Sequence, residues 1–196
     1  MMTGGDFDRA AEYAIYQTTR EGLWDKPTGL AFVWGAIVRE WLNEIIPQDA
    51  DVKNICNLHL TATPVNFFKP PTLLNNFGDK KELIDACMAS CHVPFFLDGK
   101  AVSRYRNRSF IDGSFWPYVG QQIVYPKPPY PAVYDESEIY YIDWTLDKEF
   151  RKRQRKTTFV SLITPEGLRN MMNSGYAFMS EEFKAGKLKS FELVKQ

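Results

Sequence analysis

The stretch DKKELIDACMASCHVPFFLDGKAVSRYRNRSFIDGS, residues 79–114, decides the fold of this chain. Asp79 followed by Glu82 has the spacing of a capping box, which predicts the start of a helix. Residues 83–91 are apolar or small on almost every face, and this is typical of a buried helix. Pro94 predicts the end of the helix, because proline lacks an N–H and disfavours helical backbone before it.

A short strand follows the helix and carries a carboxylate at its end. Residues 109–111 predict the strand, and Asp112 with Gly113 predicts a turn after it. Asp-Gly pairs are common turn signals, as Asp98 and Gly99 show in the same chain. The order helix, proline, strand and Asp-Gly nevertheless makes Asp112 a candidate catalytic residue, because α/β proteins commonly place reactive groups at strand ends.

The segments ELIDACMASCHVPFF (82–96) and FIDGSF (110–115) resemble the second half of a patatin-like phospholipase domain of the adipose triglyceride lipase type. The resemblance implies an α/β fold of three α/β/α layers and a serine-type lipid ester hydrolase. It also implies that Asp112 is the base of a Ser–Asp dyad, in a motif formed by Asp112, Gly113 and Ser114. The family usually has Gly or Ala at the third position of that motif, where this chain has Ser114.

The chain contains neither the G-x-S-x-G segment of this family nor its glycine-rich oxyanion loop. We therefore expect residues 1–196 to form a single, N-terminally incomplete patatin-like domain, whose parallel sheet lacks its central strand and whose resemblance is strongest over 79–114. It should supply the Asp base but not the Ser nucleophile, and so be inactive alone. The alternative is a non-catalytic lipid-surface or partner-binding protein derived from that fold.

Composition sets the wider limits. The 24 basic and 24 acidic side chains give a formal net charge of zero, so nothing global points to nucleic acid. Three cysteines without a secretory signal indicate reduced thiols and a cytoplasmic protein. No apolar run approaches the ~18 residues that span a bilayer. The resemblance implies an acylglycerol or phospholipid substrate, no cofactor, and a peripheral place on a membrane or lipid droplet as an option.

We expect His59 and His92 to have structural roles. The same holds for the cysteine pair of residues 79–114. His59 lies on a predicted strand with two-residue alternation over 57–63. His92 directly follows Cys91, and adjacent residues at a helix end point in different directions. Cys87 and Cys91 share a helix face but lack the partners of a metal site, so we interpret them as core thiols.

Three further helices are predicted. The first runs from Asp6 or Asp8 to about Arg20, and the second has an apolar stripe from Trp34 to Ile45 that should pack against a sheet. Pro165 opens the last helix, and its Met-rich side is expected to be buried, either as core or as a groove for acyl chains. Further strands are predicted at the following positions: 72–77, 121–125, 138–144 and 158–163.

Two basic segments are open to two interpretations. Residues 100–108 carry alternating arginines and predict either a solvated hairpin arm or a group of cations for phosphate or anionic lipid. Residues 148–156, KEFRKRQRK, predict either a solvated face or attachment to an anionic bilayer.

Overall fold

The computed structural model describes four ranges of the chain, which are 7–55, 58–65, 71–113 and 164–187. They belong to two compact units, residues 1–129 and residues 130–196. The described helices are α1 (Phe7–Arg20), α2 (Trp34–Ile45), α3 (Lys80–Ser90) and α4 (Pro165–Lys184). The described strands are β1 (Leu60–Pro64), β2 (Thr72–Leu74), β3 (Ser103–Tyr105) and β4 (Arg108–Asp112).

The four strands form one sheet in the order β2-β1-β4-β3, and each neighbouring pair is antiparallel. The mixed α/β class is therefore confirmed, but the expected parallel arrangement is wrong for the strands that the structure describes. One physical reason is the connection between β3 and β4. Arg106 and Asn107 have φ values of 45° and 60°, which are those of a two-residue type I′ turn, and such a turn joins antiparallel strands.

Helix α3 begins as its sequence predicts. The Asp79 carboxylate accepts a hydrogen bond from the Glu82 N–H at 2.7 Å and so satisfies one of the free N–H groups of the first turn. The Glu82 carboxylate accepts from the Gly78 N–H, one residue before the position that a capping box uses. The helix ends at Ser90, ahead of Pro94.

The helices of the first unit pack one upon another, and α3 is the one that packs on the sheet. Helix α3 contacts β1, β3 and β4, α2 contacts α3, and α1 contacts α2. The expected packing of α2 on the sheet is therefore replaced by packing mainly on its two neighbouring helices. The Trp41 indole donates to the Ala10 carbonyl at 2.6 Å, and Arg39 pairs with Asp85 of α3 at 2.7 Å. The core combines residues of α3, the strands and their loops, among them Ala62, Phe77, Ile84, Ala86 and Phe110.

Helix α4 belongs to the second unit, and its predicted start is confirmed. The Thr164 hydroxyl accepts from the Gly167 N–H at 3.1 Å, with Pro165 in the first turn. The predicted burial of its Met-rich side is not observed, because Tyr176 is 79% exposed and Phe183 is 58% exposed. Within the described ranges, no helix is both long and apolar enough to cross a membrane.

Several predictions fall outside the residues that the structure describes. They concern Ser114, the strands over 121–125, 138–144 and 158–163, and the basic run over 148–156. The single partial domain over 1–196 also stays a prediction.

Replacing Asp79 by Ala should destabilise the first unit by about 1 kcal/mol, because the Glu82 N–H loses its acceptor. Urea denaturation measures the change. The matched control is Asp79→Asn, which keeps an acceptor oxygen and should stay close to the parent chain. Equal losses in the two variants would mean that the side chain does not act as a cap.

Candidate functional site

Asp112 is the last residue of β4, which is an inner strand of the sheet. It lies opposite Ala62 in the register with β1. Its backbone N–H donates to the His92 carbonyl at 2.8 Å, in the loop that follows α3. The predicted strand therefore delivers Asp112 where β4 leaves the sheet, and the α3–β3 connection holds the backbone there.

Gly113 is buried, and two contacts with neighbouring elements hold it in place. Its N–H donates to the Ser90 carbonyl at 3.0 Å, so it satisfies a carbonyl in the last turn of α3. A Cβ at this position would lie 3.0 Å from the Thr61 side chain and closer still to the Thr61 carbonyl group. Glycine is thus required because the backbones of β1 and β4 approach each other closely, rather than for an unusual φ.

Ser90 completes the same junction with its side chain. Its hydroxyl donates to the Thr61 carbonyl at 2.7 Å, while its own carbonyl accepts from Gly113. The Ser90 hydroxyl therefore already donates its proton to a carbonyl, which does not favour Ser90 as the nucleophile of a dyad. The small size of Ala86, Ala89 and Ser90 was the one sequence signal for such a close approach.

Cys87 of α3 and Cys91, the residue after this helix, are partly buried free thiols, and Cys87 packs against the core. Burial raises the pKa of Cys91 to about 11, and the nearby charge of Asp112 adds to the effect. Burial also raises the pKa of Cys87 to about 11, with a smaller contribution from Cys91. Both thiols therefore stay protonated at neutral pH, and a protonated thiol is a poor nucleophile.

The two histidines differ in their hydrogen bonding. His92 is 1% exposed, and its Nε2 lies 3.1 Å from the Lys100 carbonyl, so the ring braces the α3–β3 connection. His59 lies just before β1, and its buried Nδ1 has no hydrogen-bond partner. Within the described ranges, no three acidic, histidine or cysteine side chains cluster so that they could hold a metal ion.

The predicted basic arm is the β3–β4 hairpin, and one of its arginines fastens it to α3. Arg106 Nε donates to the Glu82 carboxylate at 2.7 Å, and an Arg106 Nη donates to the Asn76 carbonyl at 2.6 Å. The hydrogen bond from Arg106 lowers the pKa of Glu82, and the one from Gly78 adds to it. Arg104 and Arg108 are exposed. The hairpin thus combines a structural ion pair with two solvated cations.

The chain is similar to the omega-hydroxyceramide transacylases of Homo sapiens and Mus musculus. The human protein is 26% identical over 119 residues, which cover 53% of this chain and 22% of the relative. The mouse protein is 30% identical over 79 residues, which cover 40% of this chain and 13% of the relative. The chain thus spans between an eighth and a quarter of the length of these relatives. No protein-family profile and no solved structure matches it.

Replacing Gly113 by Ala should destabilise the first unit by about 1–3 kcal/mol, because the added methyl group meets the backbone of Thr61. Thermal or urea denaturation measures the loss. Gly175→Ala on α4 is the matched control, since a Cβ there meets nothing within 4 Å and alanine favours a helix interior. Two variants of equal stability would contradict the close approach of Thr61.

The ion pair of Glu82 predicts a pH dependence of folding. Because the folded state lowers the pKa of Glu82, the pair contributes stability above the unfolded-state pKa of about 4.3. This contribution is lost as the pH falls through the lower folded-state pKa. The stability difference between the parent chain and Glu82→Gln should therefore shrink between neutral pH and acid pH, as measured by urea denaturation. Asp25→Asn, at an exposed carboxylate, is the control substitution.

Proposed function

We propose that this chain carries the general base of an acyl-transfer site that acts on lipid esters, within a patatin-like fold of three layers. The observation that carries the proposal is the placement of Asp112. It ends an inner strand, its backbone is bound to the loop after α3, and Gly113 beside it is fixed between α3 and β1. The similarity to omega-hydroxyceramide transacylases supports a role in lipid metabolism.

The proposed reaction follows a Ser–Asp dyad. The serine hydroxyl attacks the ester carbonyl while Asp112 accepts its proton, and Asp112 returns this proton to the alcohol oxygen as the ester C–O bond breaks, which leaves an acyl-enzyme. Asp112 then accepts a proton from the acceptor hydroxyl that attacks the acyl-enzyme, and it returns this proton to the serine oxygen as the acyl group leaves. The acceptor is water in a hydrolase and a lipid hydroxyl in a transacylase.

The nucleophile of this proposal is a serine from a segment outside these 196 residues. The sequence contains no G-x-S-x-G turn, and the Ser90 hydroxyl donates to Thr61. Cys87 and Cys91 stay protonated because burial raises the pKa of both thiols. A dyad also needs the two side chains within about 2.6–3.2 Å, a geometry that a nucleophile turn at a strand end provides.

The names of the relatives bear on the acceptor. The relatives are named as transacylases, whereas the patatin-like resemblance implies hydrolysis of acylglycerols or phospholipids. The two reactions share the acyl-enzyme and the base. They differ in which hydroxyl group, that of water or that of a lipid, attacks the acyl-enzyme. The proposal therefore includes both outcomes for the acyl group, with a lipid substrate and a cytoplasmic or peripheral site of action.

In the protein expressed with the segments that flank these residues, Asp112→Asn should lower turnover of a short-chain ester by about 10²–10⁴-fold, because the base is lost. It should also slow labelling of the serine by a fluorophosphonate. Product analysis with and without an added long-chain alcohol separates transfer from hydrolysis. Far-UV circular dichroism checks that the fold is retained.

The matched control for this substitution is Asp98→Asn, at the other Asp-Gly pair of the chain. Asp98 is an exposed turn residue that pairs with Lys100 at 3.1 Å, so its loss should leave ester turnover unchanged. Full activity of Asp112→Asn would remove Asp112 from the mechanism. Absence of turnover and labelling in the parent protein would favour the alternative, a non-catalytic lipid-surface or partner-binding protein.

A further inference from the structure

Two phenylalanines on neighbouring loops are exposed and have left-handed backbone. Phe32 lies before α2 and is 61% exposed, with φ of 70°. Phe95 lies in the α3–β3 connection and is 62% exposed, with φ of 63°. A single exposed aromatic ring needs no explanation, but this combination at two contacting loops does.

The backbone conformation makes phenylalanine a costly residue at both positions. A left-handed φ brings Cβ too close to the following carbonyl, so glycine and asparagine are the residues that adopt it readily. Burial of the rings offsets little of this conformational free energy, since more than half of each residue's surface is in solvent. Residues with strained backbone are found more often than others at ligand-binding positions, where the surrounding structure holds them in place.

A backbone hydrogen bond joins the two loops, since the Phe32 N–H donates to the Phe96 carbonyl at 2.8 Å. A second bond braces the α3–β3 connection itself, where the Phe95 N–H donates to the Lys100 carbonyl at 2.8 Å. The Phe32 ring also lies beside Gly99, 3.6 Å from where a Cβ would be. The two rings are thus presented by a braced backbone and do not need to be ordered when they bind a partner.

Cationic side chains lie on the same part of the molecule. Lys100 of the braced loop and Arg104 of β3 line an open cavity of about 590 Å³, together with Arg39 and the buried His92. Lys100 pairs with Asp98 and Arg39 pairs with Asp85. Arg104 has no acidic partner among the residues that the structure describes. This region therefore joins apolar rings to cations that can contact phosphate groups.

We propose that Phe32 and Phe95 insert into the surface of an anionic phospholipid bilayer, while Lys100 and Arg104 contact its head groups. Aromatic side chains favour the interface between lipid and water, and basic side chains favour an anionic leaflet. Two separate rings are too small an apolar area for a stable protein partner, which takes about 800 Å² from each side. A bilayer needs no such shape complementarity.

This bilayer surface would bring the proposed acyl-transfer site to its lipid substrate, so the functional meaning of the inference rests on the proposed function. The two regions are connected through the backbone. The Asp112 backbone N–H donates to the His92 carbonyl, and His92 lies three residues before Phe95 in the same connection. The surface loop is therefore attached directly to the end of β4.

Cosedimentation of the full chain with phosphatidylcholine vesicles, with and without phosphatidylserine, tests the proposal. The parent chain should bind the anionic vesicles more strongly. The double variant Phe32→Asn and Phe95→Asn should bind the anionic vesicles with an affinity at least about tenfold lower, because two aromatic rings are removed from the interface. Its melting temperature should stay or rise, since asparagine accepts a left-handed φ. Phe183→Asn, at an equally exposed ring on α4, is the control and should bind as the parent chain does.

A second pair of variants tests the head-group contacts. Lys100→Gln with Arg104→Gln should abolish the preference for anionic vesicles, whereas Gln at Arg151, Lys152, Arg153 and Arg155 should leave it in place. The proposal is overturned if the parent chain binds neither vesicle, if the phenylalanine variant binds normally, or if its melting temperature falls together with binding. Asp112→Asn should bind vesicles like the parent chain, so this readout is independent of whether the acyl-transfer proposal holds.

Discussion

The junction between the end of α3 and the end of β4 is the constraint on which the candidate site depends. A helix leaves its last carbonyls without partners inside the helix, and here the Ser90 carbonyl is satisfied by Gly113. The Ser90 hydroxyl binds Thr61 of β1, so one residue joins α3 to both inner strands. Because Thr61 leaves no space for a Cβ at 113, the residue after Asp112 has to be glycine.

The connection from α3 to β3 links this junction to the surface. At its start, the His92 carbonyl holds the Asp112 N–H, and the buried His92 ring binds the carbonyl of Lys100. Between these points the chain exposes Phe95. One short loop therefore serves as the brace of a candidate base and as the support of an apolar surface.

The main elements could be predicted because their signals are local. Asp79 as a cap, the stripe from Trp34 to Ile45 and the strand ending at Asp112 depend on residues a few positions apart. The antiparallel direction of β1 relative to β4 and the support of α2 were not predicted correctly. Both depend on contacts between segments far apart in sequence, such as β1 with β4 and α2 with α3.

For the candidate site, the sequence alone determined which carboxylate to consider, since Asp112 follows a buried helix, a proline and a strand. Only the tertiary structure decided why Gly113 is required, that the Ser90 hydroxyl is bound, and that Phe32 lies beside the Phe95 loop. The physical reason is that periodicity records which face of an element is apolar. It does not record which distant carbonyl an N–H group meets, or how closely two backbones approach.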